Sequence, residues 1–159
     1  MVEQIRLLQA EIKAGLASIA EVYQQIDDLG AHATGSAQDI ILGYYLHVLY
    51  GLFENLFIQI AERFGNHIGD TTQWHTQLLK RMTLDVKAIR PPVISSEAYL
   101  ALNELRSFRH LFRNAYLLQF DPDRLNLVLR ESLKLKSIYK TELDTFVDFL
   151  EQLAKPDDK

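Results

Sequence analysis

The sequence predicts an all-α protein, an up-and-down bundle of about five helices. Apolar residues recur at helical spacing over long stretches. Seven glycines and four prolines in 159 residues are too few for a fold built on many tight turns. No alternating apolar–polar run flanked by hairpin residues is present. With a hydrophobic fraction of 48% and a charged fraction of 24%, the chain has the balance of an ordinary globular domain. We expect residues 1–155 to form one helical domain and 156–159 to be a frayed tail.

The first helix is predicted from Val2 to Asp27, because Ile5, Leu8, Ile12, Leu16, Ile19 and Val22 fall close to helical spacing. Gly30 to Gly35 is a small, polar break. Ser36 is placed as the N-cap of a second helix reaching Phe64, with Asp39 three residues on in a loose capping box. That helix is apolar on most of its circumference, which makes it the central one. The segment Gly65-Asn-His-Ile-Gly-Asp70 is a loop. A third helix is expected from Thr72 to Lys87, stopped by Pro91 and Pro92. Ser95 or Ser96 caps a fourth, running to Leu118. Asp121-Pro122 opens the last helix, which is read as continuous to Ala154.

Composition excludes several function classes. A net charge of −4 argues against a generally basic, indiscriminate nucleic-acid binder, though not against a local basic patch. Without cysteine there are no disulfides, thiolate metal sites or cysteine nucleophiles. The N-terminus turns amphipathic at once, without a secretory signal. The apolar stretch from Ile40 to Ile60 is interrupted by His47, Glu54, Asn55 and Gln59, so it reads as a buried helix rather than a membrane span. A cytoplasmic protein with no membrane partner is expected.

The fourth helix carries the most pointed chemistry. At about 100° per residue, Phe108, Leu111, Phe112, Ala115 and Leu118 gather on one side, with Leu105 at the margin. Arg106, Arg109, His110, Arg113 and Asn114 gather on the other, with Tyr116 at its edge. No acidic residue lies between Arg106 and Gln119, so these arginines lack the i,i+4 partners of an ordinary solvated face. Guanidiniums at i, i+3 and i+7 offer forked donors to phosphate oxygens, and a neighbouring imidazole can exchange a proton near neutral pH. Those are the minimum parts for cutting RNA without a metal or cofactor: help in deprotonating a 2′-hydroxyl, and positive charge for the phosphorane.

Arg109-His-Leu-Phe-Arg-Asn-Ala-Tyr116 resembles the Arg-polar-x-x-x-His-x-Tyr signature of HEPN-domain ribonucleases, especially the HepT-like toxins of HEPN/MNT toxin–antitoxin modules. The segments Leu46–Phe57 and Trp74–Met82, and Asp121 after the motif, also resemble that branch, so the likeness covers most of the chain. The resemblance implies a HEPN-like bundle that forms a homodimer, with motif helices facing each other across an RNA cleft. It implies metal-independent cleavage of RNA, tRNA among the substrates of some members, and neutralisation by a minimal nucleotidyltransferase antitoxin, in some systems by adding AMP to the motif tyrosine. Residue by residue, Arg109 matches the motif arginine, His110 the polar residue after it and Tyr116 the modified tyrosine.

Asn114 stands where the signature most often has its catalytic histidine. An amide can hold a phosphate or a ribose hydroxyl but cannot act as a general base. A branch that uses asparagine, a degenerate toxin and an engineered inactive variant are the three explanations. In the first, His110 supplies the imidazole, with Arg106 and Arg113 binding phosphate. The alternatives to a catalytic toxin are an inactive HEPN-like module that binds RNA, a nucleotide or a nucleotidyltransferase, and a helical protein-interaction adaptor.

Other clusters read more plainly. His47, Tyr50 and Glu54 share a face of the second helix at i, i+3 and i+7. They are too few ligands for a metal and read as a buried hydrogen-bond network, with a supporting role under the motif helix as the functional alternative. Trp74 is expected to plug one end of the bundle and His75 to lie on the surface. Lys80, Arg81, Lys87 and Arg90 extend a basic rim or are plain surface. Arg130, Lys134, Lys136 and Lys140 read as a solvated face, the alternative being an RNA path.

Overall fold

The computed structural model describes residues 1–30, 35–64, 73–114 and 121–156. Six helices run through them: α1 Val2–Gly30, α2 Ser36–Arg63, α3 Trp74–Arg81, α4 Ser96–Arg113, α5 Pro122–Lys136 and α6 Tyr139–Ala154. The all-α bundle predicted from the periodicity is what the chain forms. Of the expected tail, 157–159 lie outside the described residues.

α2 is the central helix, packing against α1, α3, α4 and α5. By length and composition it could cross a membrane, yet Leu46, Leu49, Tyr50, Phe53, Leu56, Phe57 and Ile60 are all buried in the bundle. Its seam with α1 is close. A Cβ on Gly15 would come within 2.5 Å of Leu56 Cδ2, so only glycine admits this approach. α1 buries Ile5, Leu8, Ile12, Ile19 and Val22 as their spacing predicts, with Tyr23 and Ile26 beyond them. Tyr23 donates from its hydroxyl to the Ser132 carbonyl at 2.8 Å and stacks on Tyr139. α1 is thereby tied to both C-terminal helices.

The helix ends differ most from the sequence reading in three places, each for a physical reason, while α1 runs three residues past the expected Asp27, to Gly30. α3 stops at Arg81 rather than Lys87. The Met82 carbonyl beyond it accepts from Val93 N–H at 2.8 Å and Ile94 N–H at 3.2 Å, which folds residues 82–95 back on the helix. Arg90, expected on a basic rim, is 2% exposed. Its guanidinium donates to the carbonyls of Arg81, Leu84 and Pro91 at 3.0–3.2 Å, satisfying backbone groups that a helix end leaves open.

The last helix is two. Ser137 N–H and Ile138 N–H bond three residues back, to Lys134 and Leu135, and the Ser137 hydroxyl donates to the Lys134 carbonyl at 2.7 Å. This local competition for the ladder breaks the helix without glycine or proline. The third difference is that α4 ends at Arg113 instead of Leu118. Asn114 Nδ2 donates to the His110 carbonyl at 2.8 Å, while its backbone N–H turns to Leu111. The last turn tightens and the side chain takes the acceptor the ladder would have used.

Two caps were legible. Ser95 Oγ accepts from Ala98 N–H at 3.1 Å, and Asp121 Oδ1 accepts from Asp123 N–H at 3.0 Å with Pro122 opening α5. Ser36 instead begins α2, and Gly35 occupies the cap position.

Candidate functional site

α4 is fixed by its buried back: Ala98, Ala101, Leu102, Leu105 and Phe108 are 0–2% exposed. Phe112 is half-buried and stacks on His47 of α2, ring centroids 5.0 Å apart. Leu111, expected on this apolar side, is 47% exposed. Ala115, Leu118 and Tyr116 lie outside the described residues.

Fixing the back presents the front. Arg106, Arg109, His110, Arg113 and Asn114 all line one open pocket of about 540 Å³, as the helical spacing predicts. Tyr50 from α2 and His75 and Thr76 from α3 complete it. Three guanidiniums and two imidazoles thus converge from two helices on one cavity, and none of the described residues lining it is a carboxylate.

Among the described residues, the acid that engages this lining lies beneath it. Glu54 is 5% exposed on α2. Its Oε1 accepts from Arg109 Nη1 at 3.1 Å, and its Oε2 is 2.7 Å from His75 Nδ1. A buried carboxylate needs such partners, and here they are the motif arginine and a histidine from another helix. Arg109 lies across α2, with its guanidinium carbon 5.9 Å from the centre of the Tyr50 ring and 4.0 Å from where a Cβ on Gly51 would stand. Burial and the Glu54 carboxylate push the Tyr50 phenol far up, so it stays protonated and serves as a donor.

The network expected for His47, Tyr50 and Glu54 therefore exists around Glu54 and does lie under the motif helix. His47 takes a different part. Its Nδ1 is buried without a hydrogen-bond partner among the described residues, and burial together with Arg109 and Arg113 holds its imidazole below the ordinary value.

His75 is the main correction. Instead of lying free on the surface, it is half-buried, paired with Glu54, and covered on one face by Trp74 with ring centroids 3.7 Å apart. Nothing local announces this, because the pairing depends on where α3 lands on α2. The only available signal was Glu54 itself: a carboxylate on the most apolar helix must find partners somewhere.

Arg106 is held by Asn103, whose Oδ1 accepts from Nε at 3.1 Å and Nη2 at 2.9 Å. Arg113, His110 and Asn114 are exposed. Among the described residues, no group of three or more His, Asp or Glu side chains could hold a metal ion.

The arrangement defines a class of protein: a helical bundle with a cationic, imidazole-bearing pocket on one face. The family model for HepT-like proteins matches residues 41–150, which spans α2 to α6 and contains the whole pocket. The chain belongs to the HepT-like family of HEPN-domain proteins. No curated protein and no solved structure matches it.

Proposed function

We propose that the protein is a HEPN ribonuclease toxin that cleaves RNA without a metal or cofactor. In this reading it acts as a cytoplasmic homodimer and is neutralised by a minimal nucleotidyltransferase antitoxin. The observation that carries the reading is the convergence of Arg106, Arg109, Arg113, His110 and His75 on one cavity, with no acid among the described residues that line it. Arg109 is the anchor: Glu54 and Tyr50 hold its guanidinium, which spares reorganisation when charge builds on a transferring phosphorus. Arg106 and Arg113 grip the flanking phosphates. Asn114 binds rather than exchanges a proton, because an amide has no titrating nitrogen at neutral pH.

Induced expression in a bacterial host tests this. The chain should arrest growth and degrade RNA, lysates should retain the activity in excess EDTA, and Arg109→Ala should stop both. If neither this chain nor Asn114→His cleaves any RNA, the ribonuclease reading fails. An inactive binding module of the same family would then remain, recognised by RNA or nucleotidyltransferase binding without cleavage. AMP on Tyr116 after co-expression with the nucleotidyltransferase, seen by mass spectrometry, is the outcome expected for the antitoxin. An adduct elsewhere or none counts against that part.

A further inference from the structure

We propose that His75, oriented by Glu54, is the proton-transfer residue of this pocket and does the work that Asn114 cannot. The inference rests on the ribonuclease reading above and adds to it the identity of the base.

Three described histidines stand near the site, and their surroundings differ. His110 is exposed, and among the described residues its ring has no hydrogen-bond partner. His47 is stacked on Phe112, its Nδ1 is buried with no hydrogen-bond partner among the described residues, and it is not among the residues lining the cavity. His75 alone has a ring fixed in two ways, by the 2.7 Å contact of Nδ1 with Glu54 and by Trp74 lying over one face. It also lines the cavity beside Arg106 and Arg109.

A carboxylate accepts and does not donate, so in the neutral ring it places the hydrogen on Nδ1 and leaves the lone pair on Nε2. This carboxylate–imidazole order lets a base take a proton and gives the imidazolium a counter-charge once it forms. Glu54 joins His75 to Arg109, so one buried anchor sets both the proton acceptor and the phosphate clamp.

His75 Nε2 takes the proton of a ribose 2′-hydroxyl. The freed oxygen forms a bond to the adjacent phosphorus, and the bond from phosphorus to the 5′-oxygen breaks. That oxygen takes a proton from water in the open pocket, and the imidazolium returns its own to solvent. One strand then ends in a 2′,3′-cyclic phosphate and the other in a 5′-hydroxyl, with no redox change.

The test is single-turnover cleavage of an RNA oligonucleotide in excess EDTA by the full chain and by His75→Ala, His110→Ala and Arg109→Ala. Binding is followed in parallel on the 2′-deoxy analogue. His75→Ala should slow cleavage by about 10²–10⁴-fold while analogue affinity stays within a few-fold. Added imidazole should restore part of the rate. A substrate with sulfur as the 5′ leaving atom, which needs no protonation, should leave the defect in place.

His75→Ala cleaving at the parent rate, or losing affinity in proportion to rate, or showing no response to imidazole, would overturn the assignment. If Arg109→Ala is nevertheless inactive, the ribonuclease reading survives that result. A parent chain that binds the analogue but cleaves no RNA overturns both.

Discussion

The basic residues of α4 and those of α5 and α6 look alike in the sequence and differ in their company. Lys134 pairs with Glu131, Lys136 with Asp27 and Lys140 with Asp144. Arg124, at the start of α5, stands 3.7 Å from Glu104. On α4 the partners are of another kind. Arg106 holds a neutral amide, Arg109 shares one buried carboxylate with His75, and Arg113 has no hydrogen bond or ion pair among the described residues. Counting cations would rank the two regions together. Asking what each cation already holds separates a surface at rest from one with donors left for a ligand. The face expected to be solvated, Arg130, Lys134, Lys136 and Lys140, is exposed, with Arg130 the one of the four that has no ion pair among the described residues, and the α4 cations differ in lining a pocket.

The comparison can be broken from behind. Phe108→Ala, which empties a fully buried position under the arginines, should cost about 3–5 kcal/mol, whereas Leu111→Ala one turn on should change stability by less than about 0.5 kcal/mol. Urea denaturation of both variants checks this. Equal costs would mean that α4 is not held by the side described here.

A smaller effect separates the two kinds of ion pair. Arg109→Met strands one oxygen of a buried carboxylate and should cost about 1–3 kcal/mol. Lys136→Met, on an exposed pair, should leave the urea midpoint nearly unchanged. On RNA the same contrast should show in salt dependence. Arg113→Ala should lower the slope of log affinity against log salt by about 0.7–0.9, and Lys134→Ala should leave it alone.

The smallest effect concerns His47. Its folded-state pKa is lowered, so below its ordinary value near 6.5 the unfolded chain binds more protons than the folded one. Stability contributed by the neutral ring is therefore present above about pH 6.5 and declines as pH falls toward the folded-state value. Urea midpoints of the parent and His47→Gln across that range should converge as the pH drops. A constant difference would mean that the ring titrates alike in both states.

Much of this was legible in the chain. The spacing of Ile5, Leu8, Ile12 and Ile19 gives the buried face of α1, and Ser95 and Asp121-Pro122 mark two helix starts by capping chemistry alone. Arg106, Arg109, His110, Arg113 and Asn114 share a pocket because helical geometry puts them on one face. Elements set by distant partners were not legible. α3 ends where Arg90 reaches the Arg81 carbonyl, nine residues away, and the prolines that follow Arg90 directly mislead about the cause. The break at Ser137-Ile138 has no glycine or proline to announce it and rests on one hydroxyl and tightened backbone bonds. His75 joins the site only because α3 packs on α2, a long-range fact that no local pattern encodes.

The most direct measurement pits the two basic regions against each other in RNA cleavage. The rate should be followed in excess EDTA for the parent chain, for the double variant Arg109→Ala/Arg113→Ala and for the double variant Lys136→Ala/Lys140→Ala. The α4 pair should abolish cleavage, and the α5–α6 pair should leave it within about twofold, since surface cations already engaged contribute little. Loss of cleavage in the lysine variant, or its survival in the arginine variant, would contradict the account.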